Sequence, residues 1–225
     1  MDIRHDKKHD DLKHDPILDV IESARSYVEK NRNRVLTALS CVVFVAVAVQ
    51  GFFVYRAHEE QKAMNAFGKA TVAYAQNPMS QSALDALADV EARYGSTTQG
   101  IYSAYLEGTI YYDRGSLDES LAKFVRAASG SPRAGFVRGE AVEGIGKCYE
   151  AKGDYTKALA SYEKVLADKD ISFRYAAIMY RMALINQKLK NFDKVKELCA
   201  KVEADTLASA YRQKALNLAA TAELQ

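Results

Sequence analysis

An uncharged stretch of 21 residues near the amino terminus constrains this chain more than any other feature of its sequence. It covers residues 35–55 and reads VLTALSCVVFVAVAVQGFFVY. At about 1.5 Å per residue, a helix of this length spans about 31 Å, close to the thickness of a bilayer's hydrocarbon core. The core helix of a soluble domain keeps a polar stripe, and this stretch has none. We therefore expect a single transmembrane helix over residues 35–55.

A cleaved signal peptide is the alternative to a permanent anchor. The stretch contains an Ala-x-Ala pattern at residues 46–48, but the pattern lies inside the apolar run, and the 34 residues before the run exceed a normal signal n-region. Lys and Arg number four in residues 15–34 and three in residues 56–75. This weak excess predicts a single-pass protein with a cytoplasmic amino terminus and an exported remainder.

Residues 1–34 form a charged tail that we assign to the cytoplasm. His5, His9 and His14 lie among several Asp residues, a composition compatible with a metal site. No apolar residue supports a fixed geometry there, so a mixed-charge segment without a metal is favoured. Pro16 then opens an amphipathic helix with apolar residues at helical spacing.

An alignment of residues 101–134 with residues 139–172 shows that the two segments share one sequence pattern. Both have Gly, Tyr and Gly at successive offsets of three and four, and both continue with a small residue, Leu and an aromatic residue. The matched positions are Gly108, Tyr111, Gly115, Ser120, Leu121 and Phe124 in the first copy, and Gly146, Tyr149, Gly153, Ala158, Leu159 and Tyr162 in the second. The second copy, GKCYEAKGDYTKALASYEKVL, closely resembles a tetratricopeptide repeat (TPR).

Further segments extend the array. Residues 176–204 are a degenerate copy, residues 206–224 supply a capping helix, and residues 63–75 and 80–94 form one more hairpin. Because each hairpin leaves an apolar face that only a neighbour covers, the copies must stack. The predicted fold is all-α: one transmembrane helix, then a TPR α-solenoid of three to four hairpins plus a cap, over residues 56–225.

No feature of the repeat domain predicts an enzyme. His58 is the sole His after the tail, so no Cys–His or Ser–His pair is available within the repeats, and no phosphate-binding glycine loop is present. We expect no catalytic residue, cofactor or metal. A net charge of +2 argues against nucleic acid as a partner. Cys148 and Cys199 are expected to remain free thiols, since two helices separate them.

A protein-binding groove is the remaining site. The first helix of each TPR hairpin lines the concave face, which predicts a peptide-binding set of Tyr102, Tyr105, Thr109, Tyr112, Tyr180 and Leu184. Glu140, Glu143 and Glu150 take the equivalent positions of the second repeat, together with Lys147. An aromatic patch beside an acidic strip favours extended, partly apolar, basic segments. The alternative is that these Tyr rings pack against the upstream hairpin.

One basic-tailed span followed by divergent TPR hairpins resembles the ancillary SecYEG translocon subunit family. The likeness covers the layout of residues 16–204, and it is strongest in Tyr94-Gly95 leading into residues 104–115. The resemblance implies a bacterial inner-membrane protein with a periplasmic repeat domain that handles newly exported chains as an adaptor or chaperone. It also implies translocon subunits and periplasmic chaperones, including a prolyl isomerase, as partners. The alternative function is a structural scaffold of another envelope complex, in cell division or outer-membrane assembly.

Overall fold

The computed structural model describes residues 16–130, 135–205 and 209–223, and all regular structure within these ranges is helical. The α-helices are α1 (Pro16–Lys30), α2 (Arg32–Gln76), α3 (Gln81–Tyr94), α4 (Thr98–Asp113), α5 (Leu117–Ala128), α6 (Gly135–Ala151), α7 (Tyr155–Leu166), α8 (Tyr175–Lys188), α9 (Phe192–Ala204) and α10 (Ser209–Glu223). A 3₁₀ helix, Lys169–Arg174, precedes α8. The chain divides into two compact units, Met1–Ala57 and His58–Gln225.

The first unit exposes its apolar side chains. Helix α1 begins at Pro16, where the missing amide hydrogen of proline costs nothing. The uncharged stretch belongs to the 45-residue helix α2, which continues past residue 55 because the next seven residues, RAHEEQK, are mostly good helix formers. Among the described residues, α2 is the one helix that could cross a membrane by its length and composition, and its most apolar window is not buried. His5, His9 and His14 lie outside the described residues.

The second unit is a TPR-type solenoid. Helices α4 and α5, α6 and α7, and α8 and α9 pack as three successive hairpins, and each hairpin packs on the next. Helix α3 packs on α4 at one end, and α10 packs on α9 at the other. The predicted cap over residues 206–224 is described as helix only over Ser209–Glu223. This architecture confirms the all-α repeat fold that the sequence predicts.

The turns inside the hairpins share one backbone geometry. Gly115 and Gly153 both have φ +78°, the left-handed region in which glycine has no steric cost. In each turn the next amide hydrogen-bonds back to a helix carbonyl: Ser116 N donates to Tyr111 O and Asp154 N donates to Tyr149 O, both at 2.9 Å. The third turn has the same bond, from Asn191 to Asn186. These bonds satisfy carbonyls at the helix carboxyl ends.

Close helix packing depends on glycines that face aromatic rings. A Cβ atom added to Gly108 would lie 2.8 Å from the Phe124 ring, and one added to Gly146 would lie 2.5 Å from the Tyr162 ring. Real Cβ atoms do not approach carbon that closely, so both positions need glycine for this packing. The repeated Gly and aromatic residues of the sequence therefore meet in space, and they hold the two helices of each hairpin together.

Candidate peptide-binding site

Three of the six predicted groove residues line one pocket. Tyr105, Thr109 and Tyr112 lie one to two turns apart on α4, which places them on the same face of the helix. They border a cavity of about 260 Å³ that α6 and α8 complete. The other lining residues are Asp113, Phe124, Glu140, Gly144, Lys147 and Arg181. The pocket therefore joins the first helices of three consecutive hairpins, and α5 contributes Phe124.

Aromatic rings and local hydrogen bonds fix the α4 side of this pocket. The rings of Tyr105 and Phe124 lie 5.8 Å apart at 49°. The Thr109 hydroxyl donates to the Tyr105 carbonyl oxygen at 3.1 Å, which holds its methyl group and hydroxyl in one orientation. Burial, with a smaller contribution from Glu140, raises the pKa of Tyr105, so its phenol stays protonated at neutral pH.

The remaining predicted residues lie elsewhere on the solenoid. Tyr102 is half-buried and its ring meets Phe67 edge to face at 6.1 Å, which is the packing against the upstream hairpin described above as the alternative. Tyr180 packs against Tyr211 of α10 at 5.8 Å, and Leu184 packs against the core of the carboxyl-terminal hairpins. None of these three side chains lines the pocket that contains Tyr105.

The acidic strip is neutralised by Lys147, which the sequence places in the strip, and by Arg174 and Arg181, which the sequence reasoning did not connect to it. Glu143 pairs with Lys147 at 2.7 Å and with Arg174 at 2.5 Å, and Arg174 also lies 3.4 Å from Glu140. Glu150 accepts from Arg181 at 2.9 Å and from the Tyr162 hydroxyl at 3.0 Å. Three carboxylates therefore face three cations, and the electrostatic argument for a basic ligand is lost.

The pKa values of two strip residues follow from these contacts. Burial raises the pKa of the Glu143 carboxyl, but Lys147 and Arg174 outweigh burial and hold the pKa below its ordinary value. Glu140 has a raised pKa, because burial outweighs the attraction of Arg174. The pair Glu143–Arg174 is therefore the more firmly ionised contact of this surface.

Arg181 and Phe124 are the pocket residues that sequence reasoning missed. Arg181 lies next to the predicted Tyr180 and three residues before the predicted Leu184, so helical spacing could have found it. The repeat pattern predicts Phe124 as a packing residue of the fold, outside the predicted peptide-binding set. The structure gives it both roles, since the ring packs against Gly108 and also lines the pocket.

The described residues contain no group of three or more His, Cys, Asp and Glu side chains that could hold a metal ion. Cys148 and Cys199 are both buried free thiols, as expected. Burial raises the pKa of the Cys148 thiol, and its sulfur lies 3.2 Å from the Ser120 hydroxyl, so this group packs as a protonated side chain.

Comparisons with known proteins identify the fold. No family model matches the sequence, and no curated protein matches it significantly. The chain is similar to a crystal structure of nearly identical TPR-like repeats from a Podosopora anserina protein assigned as a kinesin light chain. The TM-score is 0.54 at 18% identity, over 73% of this chain and 87% of that chain. A variant of those repeats has a TM-score of 0.49 at 18% identity, over 74% and 95% of the two chains. The likeness places the repeat unit among TPR-like folds.

Proposed function

We propose that this protein is a membrane-tethered, non-catalytic adaptor that binds other proteins through its TPR domain. One observation carries the proposal: a charge-free stretch of membrane-spanning length is joined to a stacked repeat domain with an open pocket on its first helices. The stretch would anchor the chain, and the repeats would present a concave surface to extended segments of partners. Residues 1–34 would then be the cytoplasmic tail, residues 35–55 the span and residues 56–225 the periplasmic repeat domain.

The partners that we favour are the Sec translocon, periplasmic chaperones or a prolyl isomerase, and newly exported client chains. The resemblance to the ancillary translocon subunit family supports this choice. A structural scaffold in cell division or outer-membrane assembly is the second candidate, because it would use the same anchor and repeats without handling clients.

Site-specific photo-crosslinking in intact cells tests the proposal. A photoreactive phenylalanine analogue at Tyr112 should capture exported chains and translocon subunits, whereas the same analogue at the exposed Lys196 of α9 should capture them far less. Recovery of division or outer-membrane assembly proteins at Tyr112 instead would favour the scaffold. Absence of any protein specific to Tyr112 would contradict both candidates.

Protease protection tests the orientation. Protease added to spheroplasts should degrade the repeat domain and spare a tag on residue 1, because the Lys and Arg excess favours a cytoplasmic amino terminus. Loss of the tag with an intact repeat domain would show that the charge count predicts the wrong topology.

A further inference from the structure

We infer that the pocket among α4, α6 and α8 is a socket for one uncharged apolar side chain, aromatic or branched aliphatic, of an extended client segment. This inference rests on the proposed function, because it names the class of segment that the adaptor would select. It replaces the basic segment that the sequence favours. Pocket size, charge balance and hydrogen-bond donors each contribute to the assignment.

The size of the pocket limits its guest to about one residue. Its volume of about 260 Å³ lies below the range of about 300–1,000 Å³ that holds drug-sized ligands. The floor is the Phe124 ring beside Gly144, where a Cβ atom would lie 2.8 Å from the ring. With the half-buried Tyr105 ring alongside, the largely buried Phe124 ring forms the apolar part of a lining that is otherwise polar. An apolar side chain that rests on these rings loses water without losing hydrogen bonds.

The charges around the pocket disfavour a charged guest. Two anions, Asp113 and Glu140, and two cations, Lys147 and Arg181, line it. Both cations already contact carboxylates, Lys147 that of Glu143 and Arg181 that of Glu150. A buried guest carboxylate would have to break one of these pairs or remain uncompensated, which is unfavourable. A buried guest ammonium would face Glu140, which already contacts Arg174, and Asp113, whose exposed carboxylate repays little of the cost of removing the ammonium from water. A neutral guest leaves all of them intact.

Polar groups of the same pocket suit the main chain beside the guest. Lys147 has three ammonium donors, and its ion pair with Glu143 engages the ammonium at a single carboxylate oxygen. Tyr112 contributes a phenolic hydroxyl, and burial raises its pKa, so the hydroxyl remains a donor at neutral pH. An extended segment has unpaired carbonyl oxygens that accept from such donors, so the socket would hold a side chain and its own backbone together.

Binding of synthetic peptides to the full-length chain in lipid nanodiscs tests the inference. Fluorescent Ser-Gly peptides would differ only at the central residue, which is Phe, Leu, Gly, Lys or Glu, and empty nanodiscs would correct for lipid binding. The Phe and Leu peptides should bind at least about tenfold more tightly than the Gly peptide, as expected for burial of one apolar side chain. The Lys and Glu peptides should bind no better than the Gly peptide.

Two variants locate the binding. Thr109→Phe would fill the cavity and should remove the advantage of the Phe and Leu peptides, whereas Thr156→Phe on the exposed start of α7 should leave it unchanged. Tyr112→Phe keeps the ring and should weaken all peptides by a similar, smaller factor, because it removes only a donor to the main chain. Circular dichroism of each variant confirms that the comparison uses folded protein.

The outcomes separate this inference from the proposed function. A preference for the Lys peptide, or unchanged binding in Thr109→Phe, would overturn the socket, even where crosslinking at Tyr112 still captures partners. Selective binding of Phe and Leu peptides, with no partner captured in cells, would support the socket and contradict the adaptor role.

Discussion

The two units of this chain use apolar residues in opposite ways. In the first unit they are exposed, with Phe44 at 75% and Phe53 at 55%, and none of residues 17–55 is buried. In the second unit Leu87 and Tyr162 have no exposed surface at all. The repeats place apolar residues at helical spacing, so each helix has one face for its neighbours and one for water. Residues 35–55 have no polar face, and they suit a solvent that is apolar on every side.

The largest expected effect is that of removing residues 1–55. The truncated chain should move from the membrane fraction to the soluble fraction and remain a helical monomer, because its core residues all follow residue 55. Fractionation, light scattering and circular dichroism measure the outcome. A truncated chain that aggregates or lacks a strong helical signal would show that the second unit needs the first.

Removal of one buried ring sharpens the contrast between the units. Tyr162→Ala should lower the free energy of unfolding of the repeat domain by about 3–5 kcal/mol, because it leaves a cavity against Gly146 and removes the donor to Glu150. Phe44→Ala in the first unit is the matched control and should leave that free energy unchanged. Urea unfolding followed by circular dichroism compares the two variants. Equal decreases in the free energy of unfolding would contradict the division into units.

A buried charge gives the repeat domain a pH dependence that the uncharged stretch lacks. Glu107 is 1% exposed, and one carboxylate oxygen lies 2.6 Å from Lys123, which also pairs with Glu91 of α3. Arg126 of α5 contacts Glu91 as well. Burial raises the pKa of Glu107 to about 7, against the opposing effect of Lys123 and with a smaller contribution from Glu91.

Because the folded-state pKa of Glu107 lies above its ordinary value of 4.5, folding favours the protonated carboxyl. The associated stability is present below about pH 4.5 and is lost as pH rises through about 7, by on the order of 1–3 kcal/mol. Glu107→Gln should flatten the stability profile between pH 5 and pH 8, whereas Glu163→Gln, at an exposed position of α7, should not. If the stability of the wild-type protein did not fall between pH 5 and pH 8, the pKa of Glu107 in the folded protein would lie near its ordinary value, which would contradict the prediction.

The smallest expected effect concerns the third turn. Lys190 has φ 59° in the position where the other two hairpins have glycine. Lys190→Gly should therefore raise the free energy of unfolding by about 0.5–1 kcal/mol, since it relieves the left-handed strain of an L-residue at some cost in backbone entropy. The reverse change, Gly153→Lys, should lower it. Thermal unfolding measures both, and shifts of the same sign would contradict the shared turn geometry.

Local patterns predicted most of the fold, whereas contacts between distant residues had to come from the structure. The offsets of Gly108, Tyr111 and Gly115 predicted a hairpin, because the turn and the close packing each need specific residue types. The end of α2 was less predictable, since helix formers follow residue 55 without a break.

The candidate site was predictable only in part. Helical spacing correctly grouped Tyr105, Thr109 and Tyr112, which lie on one helix face. It could not separate Tyr102, because the partner ring of Phe67 lies 35 residues earlier. Nor could it show that Arg174 and Arg181 neutralise the acidic strip, since each pair joins residues 31 positions apart. The spacing of residues in the sequence determines which side chains share a helix face. Packing determines which of those side chains already contact another residue and are not available to a partner.

The position of Phe124 constrains which substitutions are possible at Phe124, Gly108 and Gly144. Its ring lies against Gly108 of its own hairpin and against Gly144 of the next, at distances that leave no room for a methyl group on either. A larger side chain therefore fits at either glycine only if residue 124 becomes smaller. A smaller residue 124 in turn leaves a cavity that larger residues at both glycine positions would have to fill. Among natural variants of this chain, these three positions should consequently change together or not at all.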